Sequence, residues 1–314
     1  MSWPSNDDGW LLADTGDGTR ELLSTHDAGA SWASSGLDVD GAMQVIFADS
    51  ANGWLVGVNG LRSTHDDGST WNSTSIPGGI STDAAVATSE GVVHTAYLAG
   101  DPTMLHIATS PVDHDAFVVA PVSIQAGAGP RLDVSMTAGG PYGAMIYNDR
   151  TFVDAAEIRN GQWTPWKLDC PYPYPSLLVG LSPHGQALAV ACGPSGFADD
   201  GPIVAADLSS GSIVWTTVEP AGNGVEGQNH LGFATATDAG VRIVAYSKGD
   251  GTSVIASSTD GGATWPTRTT LPAETLLGII AHLPDGRVLI TTDPGHGLIS
   301  PDGLTWTSVA TSPS

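Results

Sequence analysis

Apolar positions in this chain cluster into short runs rich in Val, Ile, Leu and Ala, cut by turns of Gly, Asn, Asp and Ser. Runs of about four to eight such residues between turn signals read as β-strands. The clearest set lies at 44–49, 54–57 and 61–65, with a fourth run starting at Trp71 and a Ser-Ala-Asn-Gly turn between the first two. The same order of four returns at 276–283, 287–292, 297–300 and 305–309. No helical crossover separates these runs, so antiparallel pairing of neighbours is expected rather than a parallel βαβ sheet.

Between the third and fourth run of each set stands a recurring phrase. It reads Thr25-His-Asp-Ala-Gly-Ala-Ser-Trp32, Thr64-His-Asp-Asp-Gly-Ser-Thr-Trp71, Ser258-Thr-Asp-Gly-Gly-Ala-Thr-Trp265 and, one residue shorter, Ser300-Pro-Asp-Gly-Leu-Thr-Trp306. The Asp of such a phrase can bond backbone N–H groups across a turn, and the Gly accepts a backbone geometry other residues resist. Asp27, Asp66, Asp260 and Asp302 are therefore expected as turn fasteners, with Trp32, Trp71, Trp265 and Trp306 covering the turns. Decayed versions end at Phe117, Trp163 and Trp215. The seven closing aromatics are spaced by 39, 46, 46, 52, 50 and 41 residues, averaging about 46. A period of that size suits a four-stranded propeller blade. The expectation is an all-β, seven-bladed β-propeller of four-stranded antiparallel blades, one domain over residues 1–314; a β-sandwich is the alternative. The first blade has a thin opening strand at 2–5 with Trp3 as its large apolar residue, and the tail 307–314 is one way to supply an outer strand to the last.

Net charge changes the list of partners. At −23 with a pI near 4.3, and with 27 of 33 acidic residues being Asp, the chain repels nucleic acid phosphates and anionic lipid. No apolar run approaches the roughly 18 residues of a membrane span. The opening Met-Ser-Trp-Pro-Ser-Asn-Asp-Asp lacks a basic segment followed by an apolar core, which leaves a cytosolic protein or, the expectation preferred here, a secreted or cell-surface one whose leader is absent from this sequence. Cys170 and Cys192 fall near the same end of an A–B hairpin, which predicts a disulfide and an oxidising compartment. No cofactor is expected. Asp-rich loops offer oxygens to Ca2+, but no segment has the twelve-residue EF-hand spacing.

In a blade with strands A to D, the C-to-D turns share one end with the A-to-B turns. Function is then expected at the other end, on loops carried by a rigid scaffold. Residues just ahead of each strand A supply the candidates: Asp40, Asp83, Arg131, Tyr174, His230 and Glu274. The longest connection, 219–230, adds Glu226, and Pro171-Tyr-Pro-Tyr-Pro175 adds Tyr172, whose ring with that of Tyr174 could stack on a sugar or peptide. An outer acidic set comprises Asp17, Asp101, Asp149, Asp199, Asp200, Asp250 and Asp293. His26 and His65 are read as turn residues.

The four phrases resemble the Asp-box, or BNR, repeat of sialidase-like propellers, where the box is a structural fastener. Sialidases of that fold hold a substrate carboxylate with three arginines beside a Tyr–Glu nucleophile pair and an Asp acid/base. Here the Arg-Ile-Pro motif of that family is missing and the chain has eight Arg. The stretch Asn52-Gly-Trp-Leu-Val-Gly-Val-Asn-Gly-Leu-Arg-Ser-Thr-His-Asp-Asp-Gly-Ser-Thr-Trp71 is more similar to the repeats of photosystem II assembly-factor propellers. Those present an arginine-rich patch to their partner, and this acidic chain departs from that. Xyloglucan-cleaving hydrolases use such blades in pairs. The resulting expectation is a non-catalytic extracytoplasmic propeller, a monomer, binding a glycan or protein partner at the channel mouth. The alternative is a glycoside hydrolase or lyase with Glu226 or Glu274 as acid and Asp83 or Asp40 as its partner.

Overall fold

The computed structural model describes all residues except 1, 6, 15–18, 40, 59, 80–83, 90, 101–102, 123, 126–131, 137–143, 149–150, 160–161, 173–174, 183–186, 195–201, 208–212, 221–228, 249, 272–276, 279, 284, 293–295 and 311–314. Among the described residues there is no helix, and 28 strands form seven antiparallel sheets in a β-propeller arrangement. The chain divides into two compact units, residues 1–149 with 153–167 and residues 150–152 with 168–314.

In the first unit, sheet one is β1 (Gly9–Asp14), β2 (Arg20–Thr25) and β3 (Ala33–Ser34). Sheet two is β4 (Ala42–Phe47), β5 (Gly53–Gly57), β6 (Gly60–Thr64) and β7 (Asn72–Thr74). Sheet three is β8 (Ala84–Ser89), β9 (Val92–Ala99), β10 (Met104–Pro111) and β11 (Val118–Val119), with β12 (Ile124–Gln125) also paired to β10. Sheet four is β13 (Leu132–Met136), β14 (Ala144–Asn148), β15 (Thr151–Arg159) and β16 (Gln162–Pro165). The second unit holds sheet five, β17 (Pro175–Leu181), β18 (Leu188–Pro194), β19 (Ile203–Asp207) and β20 (Val214–Glu219). Sheet six is β21 (His230–Ala236), β22 (Arg242–Ser247), β23 (Ser253–Ser258) and β24 (Thr267–Thr270). Sheet seven is β25 (Ile280–His282), β26 (Val288–Thr291), β27 (His296–Ser300) and β28 (Thr307–Ala310).

Six sheets thus have four or more strands, and the first has three. Its missing inner strand is represented by a single antiparallel bridge between Ser2 and Trp10. Trp3 follows, half-buried, with its ring edge-on to Trp32 at 5.7 Å. The tail does supply β28 as the outer strand of sheet seven.

The second strands of sheets two and six are buried on both faces. All five residues of β5, Gly-Trp-Leu-Val-Gly, are buried, as are the central four of β22. Strands covered on both sides read as unbroken apolar runs rather than alternating ones. Outer strands such as β3, β7 and β11 are two or three residues long and mostly exposed, which blunts their pairing edges. Within each unit apolar seams join consecutive sheets. Trp10 stacks on Phe47 between sheets one and two, with ring centroids 3.6 Å apart. Ile46, Trp54, Val86 and Tyr97 fill the seam between two and three, and Phe233, Ile243, Val288 and Ile290 that between six and seven.

Inner strands are also joined by polar side chains. Ser2 Oγ accepts the Phe47 amide at 2.8 Å. Gln44 clamps Val86, donating to its carbonyl at 2.8 Å and accepting its amide at 2.9 Å. Thr235 Oγ1 meets His282 Nε2 at 2.7 Å between β21 and β25. Where β17 passes β21, a Cβ on residue 180 would lie 1.9 Å from the Ala234 carbonyl oxygen, so only Gly fits.

Candidate functional site

The two ends of the sheets are built differently, and the repeated phrases make one of them. Each lies between the last two strands of its sheet: β2 to β3, β6 to β7, β23 to β24 and β27 to β28. In the turn of sheet two, Asp66 Oδ1 accepts from Thr64 Oγ1 at 2.9 Å and from the Thr70 amide at 2.8 Å, and Oδ2 accepts from Thr70 Oγ1 at 2.6 Å. Thr64 Oγ1 in turn accepts the Gly68 amide at 3.0 Å. The same four bonds recur around Asp27, with Thr25, Gly29 and Ser31. They recur again around Asp260, with Ser258, Gly262 and Thr264. In the shortened turn Asp302 accepts the Leu304 and Thr305 amides, each at 2.8 Å.

The bonds that the Asp oxygens accept go to the ionised carboxylate, so they favour the charged form. The Ser31 hydroxyl and amide and the Thr25 hydroxyl bring Asp27 down to about 2. Thr264 and Ser258 do the same for Asp260, also to about 2. Asp66 is lowered by Thr70 above all, and Asp302 by the Thr305 and Leu304 amides. A carboxylate committed in this way is a poor proton donor at neutral pH. This end is a fastening.

The turns also reach neighbouring sheets, which local sequence does not reveal. The Gly262 carbonyl accepts from Thr216 Oγ1 of β20 at 2.6 Å, and the Gly303 carbonyl from Ser257 Oγ of β23 at 2.6 Å. Trp265 Nε1 donates to the Gly262 carbonyl at 3.1 Å and is 3.2 Å from Thr216 Oγ1. In sheet three the decayed turn uses Ser110, which accepts the Ala116 amide at 2.7 Å and donates to the His114 carbonyl at 2.8 Å. Its Asp115 is carried across to sheet two, accepting from Ser63 Oγ at 2.6 Å.

At the opposite end the candidates divide. Asp40, Asp83, Arg131, Tyr174, Glu226 and Glu274 lie outside the described residues. So do Asp17, Asp101, Asp149, Asp199, Asp200 and Asp293. His230 is the first residue of β21, paired with Ser247 and exposed. Tyr172 is half-buried, its hydroxyl donating to the Pro202 carbonyl, and burial raises its pKa. Among the described residues no group of three or more His, Cys, Asp or Glu side chains is arranged to hold a metal ion. The Cys170–Cys192 disulfide is present, with Cα atoms 6.2 Å apart, and Cys192 sits opposite Leu177 in the β17–β18 ladder.

A charged cluster that sequence reasoning missed borders the 219–230 connection. Glu219, the last residue of β20, meets Lys248 Nζ and Arg268 Nη1, each at 2.9 Å, and accepts the Tyr246 hydroxyl at 2.6 Å. Burial pushes the Glu219 carboxyl up, but Tyr246, Lys248 and Arg268 outweigh it and hold it below its usual range. Burial and the bond to Glu219 push the Tyr246 hydroxyl far above the ordinary tyrosine value. The cluster ties sheet five to sheet six beside the connection.

No protein-family model matches the chain, and no curated protein matches it. Solved structures do. The chain resembles YCF48 bound to D1 peptide with a TM-score of 0.51 and 17% identity, over 85% of this chain and 80% of that one. What is shared is the fold. An ancestral GH74 enzyme matches at a TM-score of 0.59 and 11% identity, over 97% of this chain but 46% of the enzyme, so the chain spans about half its length. A putative 6-phosphogluconolactonase from Bacteroides fragilis matches at 0.58 and 12% identity, over 97% and 94% of the two chains.

Proposed function

We propose that this chain is a non-catalytic, extracytoplasmic β-propeller of one domain that binds a protein or glycan partner on the loop-bearing end, opposite the Asp-fastened turns. Those turns we assign to the Asp-box, or BNR, class. The reading rests on the contrast between the two ends: at one, the Asp carboxylates are consumed by internal hydrogen bonds. The other carries the longest connection, 219–230, and loops on a rigid scaffold are where binding residues concentrate. Of the two partner classes a peptide is favoured, because the chain covers most of a propeller solved with a peptide bound.

Binding to peptide and glycan arrays, run beside hydrolysis of chromogenic glycosides and lyase assays on uronate polymers, tests the proposal. Saturable binding with no turnover is the expected result. Turnover abolished by Glu226→Gln or Glu274→Gln would replace it with the hydrolase or lyase alternative. Loss of binding on Tyr172→Ala is expected if that ring contacts the partner, and unchanged affinity would remove Tyr172 from the site.

A further inference from the structure

The Asp-fastened turns of sheets one and two carry a histidine, His26 and His65, where those of sheets six and seven carry Thr259 and Pro301. Each histidine reaches beyond its turn. His65 Nδ1 lies 2.7 Å from Asn52 Oδ1. The Asn52 amide nitrogen is committed to Asp49, donating to its two carboxylate oxygens at 3.0 and 2.9 Å, so it is the Asn52 oxygen that faces the ring. That oxygen only accepts, and Nδ1 therefore carries a proton. Nε2 is buried and faces Asp115 Oδ1 of sheet three at 3.6 Å. The other Asp115 oxygen accepts from Ser63 Oγ and Thr74 Oγ1, at 2.6 and 3.2 Å. A neutral ring with its proton on Nδ1 turns a lone pair toward this carboxylate; the imidazolium alone presents an N–H to both neighbours.

His26 repeats the arrangement between sheets one and two. Its Nδ1 is 2.9 Å from Asp8 Oδ1 and its Nε2 4.0 Å from Asp67 Oδ2, both acceptors when ionised. The charged groups around His65 are Asp66 and Asp67 on its own turn, Asp49 behind Asn52, and Asp113, His114 and Asp115 on the turn of sheet three. His114 is paired within its own turn to Asp113 at 2.6 Å. Arg62, three residues before His65, is directed elsewhere, donating to the Asp38 carbonyl at 2.7 Å.

We propose that protonated His65 clasps sheet two to sheet three, and that His26 forms a second, more exposed clasp between sheets one and two. Both joints hold in the imidazolium form, which alone presents an N–H to each neighbour, and loosen when the ring is neutral.

Side-chain 15N NMR of the full chain between pH 5 and 8.5 reads the ring directly. Nδ1–H alone at the alkaline end, with both nitrogens protonated at the acid end, is expected for His65. A neutral Nε2–H tautomer at pH 8.5 would overturn the proposal, since that ring reaches Asp115 without taking up a proton. A double-mutant cycle of His65→Gln and Asp115→Asn in denaturant unfolding supplies the second reading. The unfolding constant is expected to show coupling of about threefold at pH 5.5 and none at pH 8.5. Equal coupling at the two pH values would refute the clasp. The NMR reading stands on the native chain even if a variant fails to fold, and His114→Gln, which leaves both joints intact, is expected to behave as wild type.

Discussion

The turn at residues 64–71 and the turn at 258–265 use the same four hydrogen bonds, yet they meet the sheet before them in different ways. A Cβ on Gly68, at φ +75°, would meet only ordinary van der Waals contacts, the nearest being Trp10 Nε1 at 3.5 Å. Gly262, at φ +95°, is pressed on backbone, with the Ala206 carbonyl oxygen only 2.5 Å from where a Cβ would sit. One glycine is needed for its dihedral alone, the other for its dihedral and for docking. The repeat therefore conserves the fastener within a turn while each joint to the neighbouring sheet is solved separately. In the first unit that joint uses His and carboxylate; in the second it uses hydroxyls donating to glycine carbonyls.

The largest expected difference tests that contrast directly. Gly262→Ala is expected to cost roughly 2–5 kcal/mol, from left-handed strain plus overpacking against backbone. Gly68→Ala is expected to cost only about 1–2 kcal/mol, from the strain alone. Denaturant unfolding of the two variants compares them, and equal losses would remove the docking distinction. Second, the disulfide closes 22 residues of the second unit. Replacing Cys170 and Cys192 by Ala is expected to lower stability by roughly 3 kcal/mol, with faster amide exchange in β17 and β18.

Smaller effects sharpen the picture. In the first unit the residue after the fastening Asp is strained, Ala28 at φ 59° and Asp67 at φ 61°, whereas the third turn has Gly261 there. Ala28→Gly is expected to stabilise by up to about 1 kcal/mol, and Gly261→Ala to destabilise by a similar amount. The smallest concerns acid. Asp27 and Asp260 are both depressed to about 2, so the stability they contribute is complete above the unfolded carboxylate value near 4 and is lost as pH falls toward 2. Asp27→Asn or Asp260→Asn should flatten the decline in stability between pH 4 and 2 by the same degree, despite their different joints.

Much of this fold is legible in the sequence, because Gly and Trp punctuate it locally. The runs expected at 44–49, 54–57 and 61–65 appear as β4, β5 and β6 within two residues. The thin opening of the first blade becomes a three-stranded sheet with one bridge. In the last sheet the long run expected at 276–283 contracts to Ile280–His282 among the described residues. What sequence could not show is long-range. His65 and Asp115 are 50 positions apart, and Tyr172 reaches Pro202 across 30. No local spacing encodes such pairs, and the turn reading of His26 and His65 missed their reach to other sheets. Six of the eight binding candidates fall outside the described residues, and of the other two Tyr172 has its hydroxyl engaged internally.

The fastening itself is open to one direct measurement. The amides of Ser31, Thr70, Thr264 and Thr305 belong to exposed residues, yet each donates to an Asp carboxylate at 2.8 or 2.9 Å. Native-state amide exchange by NMR should find all four slowed at least about a hundredfold relative to an unstructured chain, as for hydrogen-bonded amides that open only with their sheet. Exchange at the unprotected rate in all four would contradict the fastened turn on which the reading of both ends depends.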